Sequence, residues 1–406
     1  MVGRSKQRPY DTTFIRVEYL SASFFACFWE KWLSQAVQIF LQQFINGIQG
    51  GSVYALIAVG YTMVYGVLKF INFAHGDVYM VGAYIGLFAL AVTLPASGPI
   101  PRDIVVLFLC MGGCALLGAF IERLAYRPLR NGLSANDAWP WALFWALYLG
   151  LFLGPYLEAH SGLIAISAFL VTVGVSFFGL IPVLRMLFSY VGTRLRPSKN
   201  RLTALITAIG ISLLLENQGQ STFGATPRQF PDQGFVSTSV ALGSSVHLSI
   251  NTGRLIVLGA AIILMVILVY IVRKTRTGRA IRAVSFDIEA AALMGIPTDR
   301  IIALTFVIGS ALAGAAGFLN HNLGQIKFDA NVGIQLGLKA FVAAVLGGIG
   351  SIEGAVLGAM LMGLAESYTA GSSLSAFRDA VAFVILIAVL LFRPSGILGR
   401  NTVEKV

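Results

Sequence analysis

The sequence predicts an all-α, polytopic membrane protein with roughly ten to twelve transmembrane or re-entrant helices. Three observations carry this. Of 406 residues, 57% are hydrophobic and only 12% charged, and mean hydropathy is +0.80. A soluble chain would lack the charge to solvate its surface. Apolar runs near the length of a bilayer crossing recur along the chain. Glycine occurs 44 times, as expected where close backbone approach replaces the hydrophobic drive that lipid cannot supply.

Crossing a hydrocarbon core of roughly 30 Å takes about 20 helical residues. The apolar runs fall at 36–50, 51–68, 76–94, 104–125, 139–157, 162–188, 202–216, 255–272, 301–323, a broken pair at 336–346 and 351–365, and 376–392. The first carries Gln38, Gln42, Gln43 and Asn46; the seventh is short and ends at Glu216-Asn217-Gln218. Gly347, Gly348 and Gly350 supply the helix break in the pair.

The net charge of +11 reads as the positive-inside rule rather than nucleic-acid binding. Basic residues cluster before 36, at 123–130, at 185–201, at 273–300 and at the C-terminus. These loops share one side if 336–365 crosses twice. The expected arrangement has both termini cytoplasmic and 217–254 as an outer loop holding only Arg228 and Arg254. Residues 1–35 read as a cytoplasmic extension, either an amphipathic helix in the interface or a basic tail. No secretory leader is expected. Cys27, Cys110 and Cys114 make no disulfide framework.

Several chemistries lack their motifs. There is no phosphate-binding G-x-x-x-x-G-K-[ST], no H-E-x-x-H, no C-x-x-C and no G-x-S-x-G. The four histidines have no metal-ligand spacing. The chain is therefore expected to be no enzyme and to bind no metal or cofactor itself.

Two regions carry candidate function. In the cytoplasmic loop 273–300, residues 279–294 read as one short helix with Ile281, Val284, Ile288, Ala291 and Leu293 on an apolar face. Arg279, Arg282, Asp287 and Glu289 lie on other faces, and Gly295 and Pro297 end the helix. Such a helix suits a groove on a partner protein or an interfacial position on lipid. Near membrane depth, Asn72, His75 and Asp77 follow a break expected at Gly66. They line a polar pathway or form a cytoplasmic turn.

Glu289-Ala290-Ala291-x-x-x-Gly295 resembles the EAA---G signature of bacterial ABC importer permeases. Gly50 to Gly66 with Ile71-Asn72-Phe73-Ala74-His75-Gly76-Asp77 resembles the LivH branch of the branched-chain amino acid permeases. Similar runs lie at 121–130, 205–210, 295–309, 339–351 and 395–400, so the likeness covers most of 36–130 and 201–406. Residues 136–199 stand as an insertion holding two apolar segments, and the family usually has Glu where this chain has Asp77.

The resemblance implies a single permease domain over 36–406 in a bacterial inner membrane. It implies alternating-access import of leucine, isoleucine or valine, with a homologous second permease subunit, two ATP-binding subunits carrying ATP and Mg, and a periplasmic substrate-binding protein. Arg279, Arg282, Asp287, Glu289, Ala290, Ala291 and Gly295 would form the ATPase-coupling loop. Gly66, Asn72, His75 and Asp77 are candidates for the pathway. Membrane lipid surrounds the chain, and no nucleic acid is expected. The alternatives are a urea or short-amide permease of the same family and a stand-alone secondary transporter. The latter would need a buried acidic relay and would leave the 279–295 loop without purpose.

Overall fold

The computed structural model describes residues 12–92, 99–131, 142, 182–186, 201–231, 237–242, 246–324 and 326–399. The 136–199 insertion therefore lies outside the described residues apart from 142 and 182–186, as do residues 1–11 of the N-terminal extension.

The architecture is helical, with one short hairpin. α1 spans Thr12–Leu68, α2 Ala74–Val92 and α3 Pro99–Ile121. A π-helical turn at Glu122–Tyr126 leads into α4, Arg127–Asn131. α5 covers Arg201–Phe223. An antiparallel pair, Ser237–Leu242 with Val246–Asn251, precedes α6 at Thr252–Lys274. Then come α7 (Arg276–Phe286), α8 (Ile288–Leu293) and α9 (Thr298–Asn322). Last are α10 (Val332–Gly347), α11 (Ile352–Ala370) and α12 (Ala380–Phe392). Among the described residues, four helices are long and apolar enough to cross a membrane: within α1, α3 to α4, α6 and α9. The pair α10–α11, bent by 119°, makes a fifth if it is counted as one broken span.

Small residues set the core. α9 passes between α2 and α3 with Gly314 against Cys110 and Cys114, and Gly317 against the Tyr79 carbonyl. A Cβ on Gly317 would stand 2.2 Å from that oxygen. α1 packs along α11 through Gly47, Gly51 and Gly363 in the same manner. These contacts exchange side-chain volume for backbone proximity, the main attractive resource between helices in lipid.

The molecule has two ends. At one, Arg130 pairs with Glu122 and Asp299, Arg273 pairs with Glu353, and the tail donates from Leu398 N–H to the Gly347 carbonyl. At the other, Arg228 bridges to Phe328, Gly253 lies on Leu323, and Gly371 lies on Gln43.

Several expectations are corrected. Segments 36–50 and 51–68 are one helix, because nothing between Asn46 and Tyr54 breaks the ladder and Gly47 and Gly51 are wanted for packing. Gly66 lies inside that helix. The chain turns at Lys69, whose φ is +59°. α5 runs on past Glu216 to Phe223. Residues 279–294 form two helices rather than one, divided at Asp287, which accepts from the Ala290 N–H at 2.9 Å and so caps α8. The expected break at Gly347–Gly350 is present, with φ of +106° at Gly348 and +99° at Gly350. Backbone angles of that sign favour glycine.

Candidate functional site

The basic end presents α7 and α8 as a short bent rod. Thr275 caps α7 through the Gly278 N–H at 3.1 Å. Gly278 lies so close to the Ile271 and Val272 carbonyls that no Cβ fits. Ile281, Val284 and Ala291 are buried against the body, and Arg282 donates to the Val272 carbonyl. Gly295, at φ +80°, reverses the chain after α8. The expected apolar face is divided: Leu293 points outward and is 89% exposed. Phe286 and Met294 do the same, at 92% and 82%. Arg279, Asp287, Glu289 and Ala290 are also exposed. The result is an apolar tip framed by charge.

Within the core, Asn72, His75 and Asp77 are all buried. Asn72 accepts from the Tyr126 hydroxyl at 2.9 Å, and its carbonyl receives the His75 N–H. The His75 ring meets Tyr61 edge-on at 4.8 Å and lies against Gly60, whose missing side chain makes room for it. Asp77 accepts from the Ser212 hydroxyl of α5 through Oδ2. Its Oδ1 has no partner and faces Gly333, in the first turn of α10. Gly76, Gly333 and Gly337 make a backbone-to-backbone seam there. On the basic side of the seam is a cavity of about 10 Å³ lined by Tyr61, Thr62, Tyr65, Ile71, Phe341, Ala344 and Ile349. The structure thus buries three of the four pathway candidates around the start of α2, while Gly66 lies within α1.

Sequence reasoning missed other polar groups. Glu366, 3% exposed, accepts from Tyr54, Lys339 and Arg378, and Lys339 also reaches Asp379. Lys339 lies inside an apolar run and Glu366 directly follows one, a signal available from sequence. Ser212 offered none. His321 and Asn322, at the end of α9, are fully buried. His321 contacts the Tyr79 hydroxyl at 2.9 Å and the Ile326 carbonyl at 2.8 Å.

A multi-helix body with a bent helix pair, buried polar groups against the start of that pair and a protruding rod at one end is consistent with a transport permease. The family described as branched-chain amino acid transport system, permease component, matches residues 43–390. The chain belongs to that family. It is 37% identical over 383 residues to the high-affinity branched-chain amino acid transport system permease protein LivH of Salmonella typhimurium, covering 92% of this chain and all of the relative. LivH of Escherichia coli K12 matches to the same extent. BraD of Pseudomonas aeruginosa, also a high-affinity branched-chain amino acid permease protein, is 37% identical over 375 residues, with 90% and 98% covered. No solved structure matches. Family members are transport permeases, not enzymes, and this chain is a multi-pass membrane protein.

Proposed function

We propose that this chain is a membrane subunit of a high-affinity importer of leucine, isoleucine and valine, driven by ATP bound on separate subunits. The observation that carries the reading is the apolar tip Phe286, Leu293 and Met294, exposed at the end richest in basic residues. An apolar tip on a rigid rod, kept out of the body, fits a cleft on another protein. In a family of permeases that partner is the ATP-binding subunit, present twice, beside a homologous second permease and a periplasmic binding protein. ATP and Mg stay with the partners. A zwitterion is too polar for lipid, so this chain supplies a transient polar route opened alternately to each side.

The charge distribution supports a cytoplasmic position for the rod and the C-terminal tail, in a bacterial inner membrane. It supports an outer position for the 217–254 loop. The continuity of α1 supports placing the residues before its span outside as well, against their own basic charge. Its residue Gln43 lies beside Ser367 and Gly371, and its far end at Lys69 adjoins Phe70, which packs on Tyr126 at the rod end.

The test is reconstitution of all subunits in liposomes with labelled leucine or urea, reading ATP turnover and uptake together. Leu293→Glu and Gly295→Val are expected to insert normally and to lose stimulated ATP turnover and leucine uptake together. Wild-type rates in both variants, or uptake of urea without leucine, overturn the reading.

A further inference from the structure

Asp77 is the one described acidic side chain that is fully buried without a cation. Its exposure is 0%, and among the described residues no lysine, arginine or histidine nitrogen lies within ion-pair distance of it. The other buried acids, Asp103, Glu122 and Glu366, each have arginine, and Glu366 has lysine as well. Burying a carboxylate costs too much to leave it half satisfied without a compensating gain.

Its surroundings are those of a ligand site closed on itself. Oδ2 is held by Ser212. Oδ1, unpartnered, lies 2.8 Å from where a Cβ on Gly333 would stand. Gly333 is in the first turn of α10, whose N-cap Asn331 makes no side-chain cap. α10 has 16 residues and is the first half of the bent pair. The positive end of a helix favours a carboxylate, so the first turn of α10, where Gly333 is buried against Asp77, steadies the acid while the site is empty. Broken helices at membrane depth are where transporters place substrate contacts.

The geometry points to Asp77 as the intramembrane contact for the ammonium group of the transported amino acid, with the Gly76–Gly333–Gly337 seam closing over it in the unloaded form. This rests on the importer reading above and adds the chemistry of one contact. When α10 moves off α2, Oδ1 is freed to accept from a substrate ammonium. The start of α10, relieved of Asp77, then faces the substrate carboxylate. A neutral amide or urea has no ammonium and would gain only a hydrogen bond from a neutral donor, without the charge attraction.

The experiment compares wild type with Asp77→Asn, Asp77→Ser and Asp77→Glu in the fully reconstituted complex, with labelled leucine delivered by its binding protein. The readout is leucine moved per ATP hydrolysed, which a loss of assembly does not imitate. Either neutral variant should lower this ratio by about 10- to 150-fold, the worth of one charge-assisted hydrogen bond. Asp77→Glu keeps the charge, with one methylene more reach, and should restore most of the ratio. An unchanged ratio in an assembled neutral variant, or a loss in Asp77→Glu equal to that in Asp77→Asn, overturns the assignment and leaves the importer reading intact. A wild-type complex that carries urea but not leucine overturns both.

Discussion

Glu366 shows how a single residue fastens several helices. Its Oε1 receives Lys339 from α10 and Arg378 from the segment before α12, and its Oε2 receives Tyr54 from α1. Removing one member of a buried ion group strands the others, at a cost of about 3–5 kcal/mol. Glu366→Leu is therefore expected to lower the thermal unfolding midpoint of the purified chain. Adding Lys339→Met should recover part of the loss, because neighbouring effects are not additive. An unchanged midpoint in the single variant would show the network to be dispensable. Asp379, outside the spans, has its carboxyl held below the usual carboxylate range by the hydrogen bond from Lys339. A depressed acid stabilises the fold above its unfolded pKa and ceases to do so as pH falls through the folded value. That tie is intact at neutral pH and lost only in acid. At this scale Asp77 and Gly295 were legible in the sequence, one as an acid at membrane depth and the other as a glycine closing a helix. The partners of Glu366 were not, since Tyr54 is 312 positions away in the chain.

The elements divide by the range of the forces that end them. α8 begins at Asp287 because the side chain caps its own helix. Losing such a cap costs about 1 kcal/mol. Asp287→Ala should fray α8 and raise the proteolytic nicking rate between 286 and 290, with Asp287→Asn or Asp287→Ser retaining protection. Equal nicking in all three would show that the capping bond does not hold the helix. The break between α10 and α11 was readable from Gly347-Gly348-Ile349-Gly350, and the structure adds what holds it. The tail donates from Ile397 and Leu398 to the Leu346 and Gly347 carbonyls, groups that the broken ladder would leave orphaned. α1 went the other way. Its glutamines and glycines suggested two short segments, yet Gln43 receives Ser367 and the glycines receive α11. Polar and small residues there serve helix contacts instead of ending a helix.

For the whole molecule, the continuous α1 makes the proposed sidedness testable. Single cysteines at Ser372 and Ser285, in a background lacking Cys27, Cys110 and Cys114, should react with an impermeant reagent from outside and from inside respectively. The reverse pattern would invert the topology. A cysteine at Ser5 should label from outside; protection in intact cells would mean that the chain turns back before the span. The 136–199 insertion, apolar and holding an even number of candidate spans, is expected to be peripheral to transport. Joining Arg130 to Arg201 by a short polar linker should leave leucine uptake in assembled complexes, and an assembled complex without uptake would place the insertion in the pathway.

The sequence by itself determined the membrane class, the helical content, the glycine break, the rod bounded by Gly295 and the family. These follow from composition and from signals a few residues long, which act through local backbone preference and transfer from water to lipid. Only the tertiary structure decided that α1 is one helix, that Leu293 faces outward, and that Asp77 meets Ser212 and the start of α10. Those outcomes depend on surfaces brought together from distant parts of the chain, where close packing of backbone on backbone selects among conformations that local sequence leaves equally allowed.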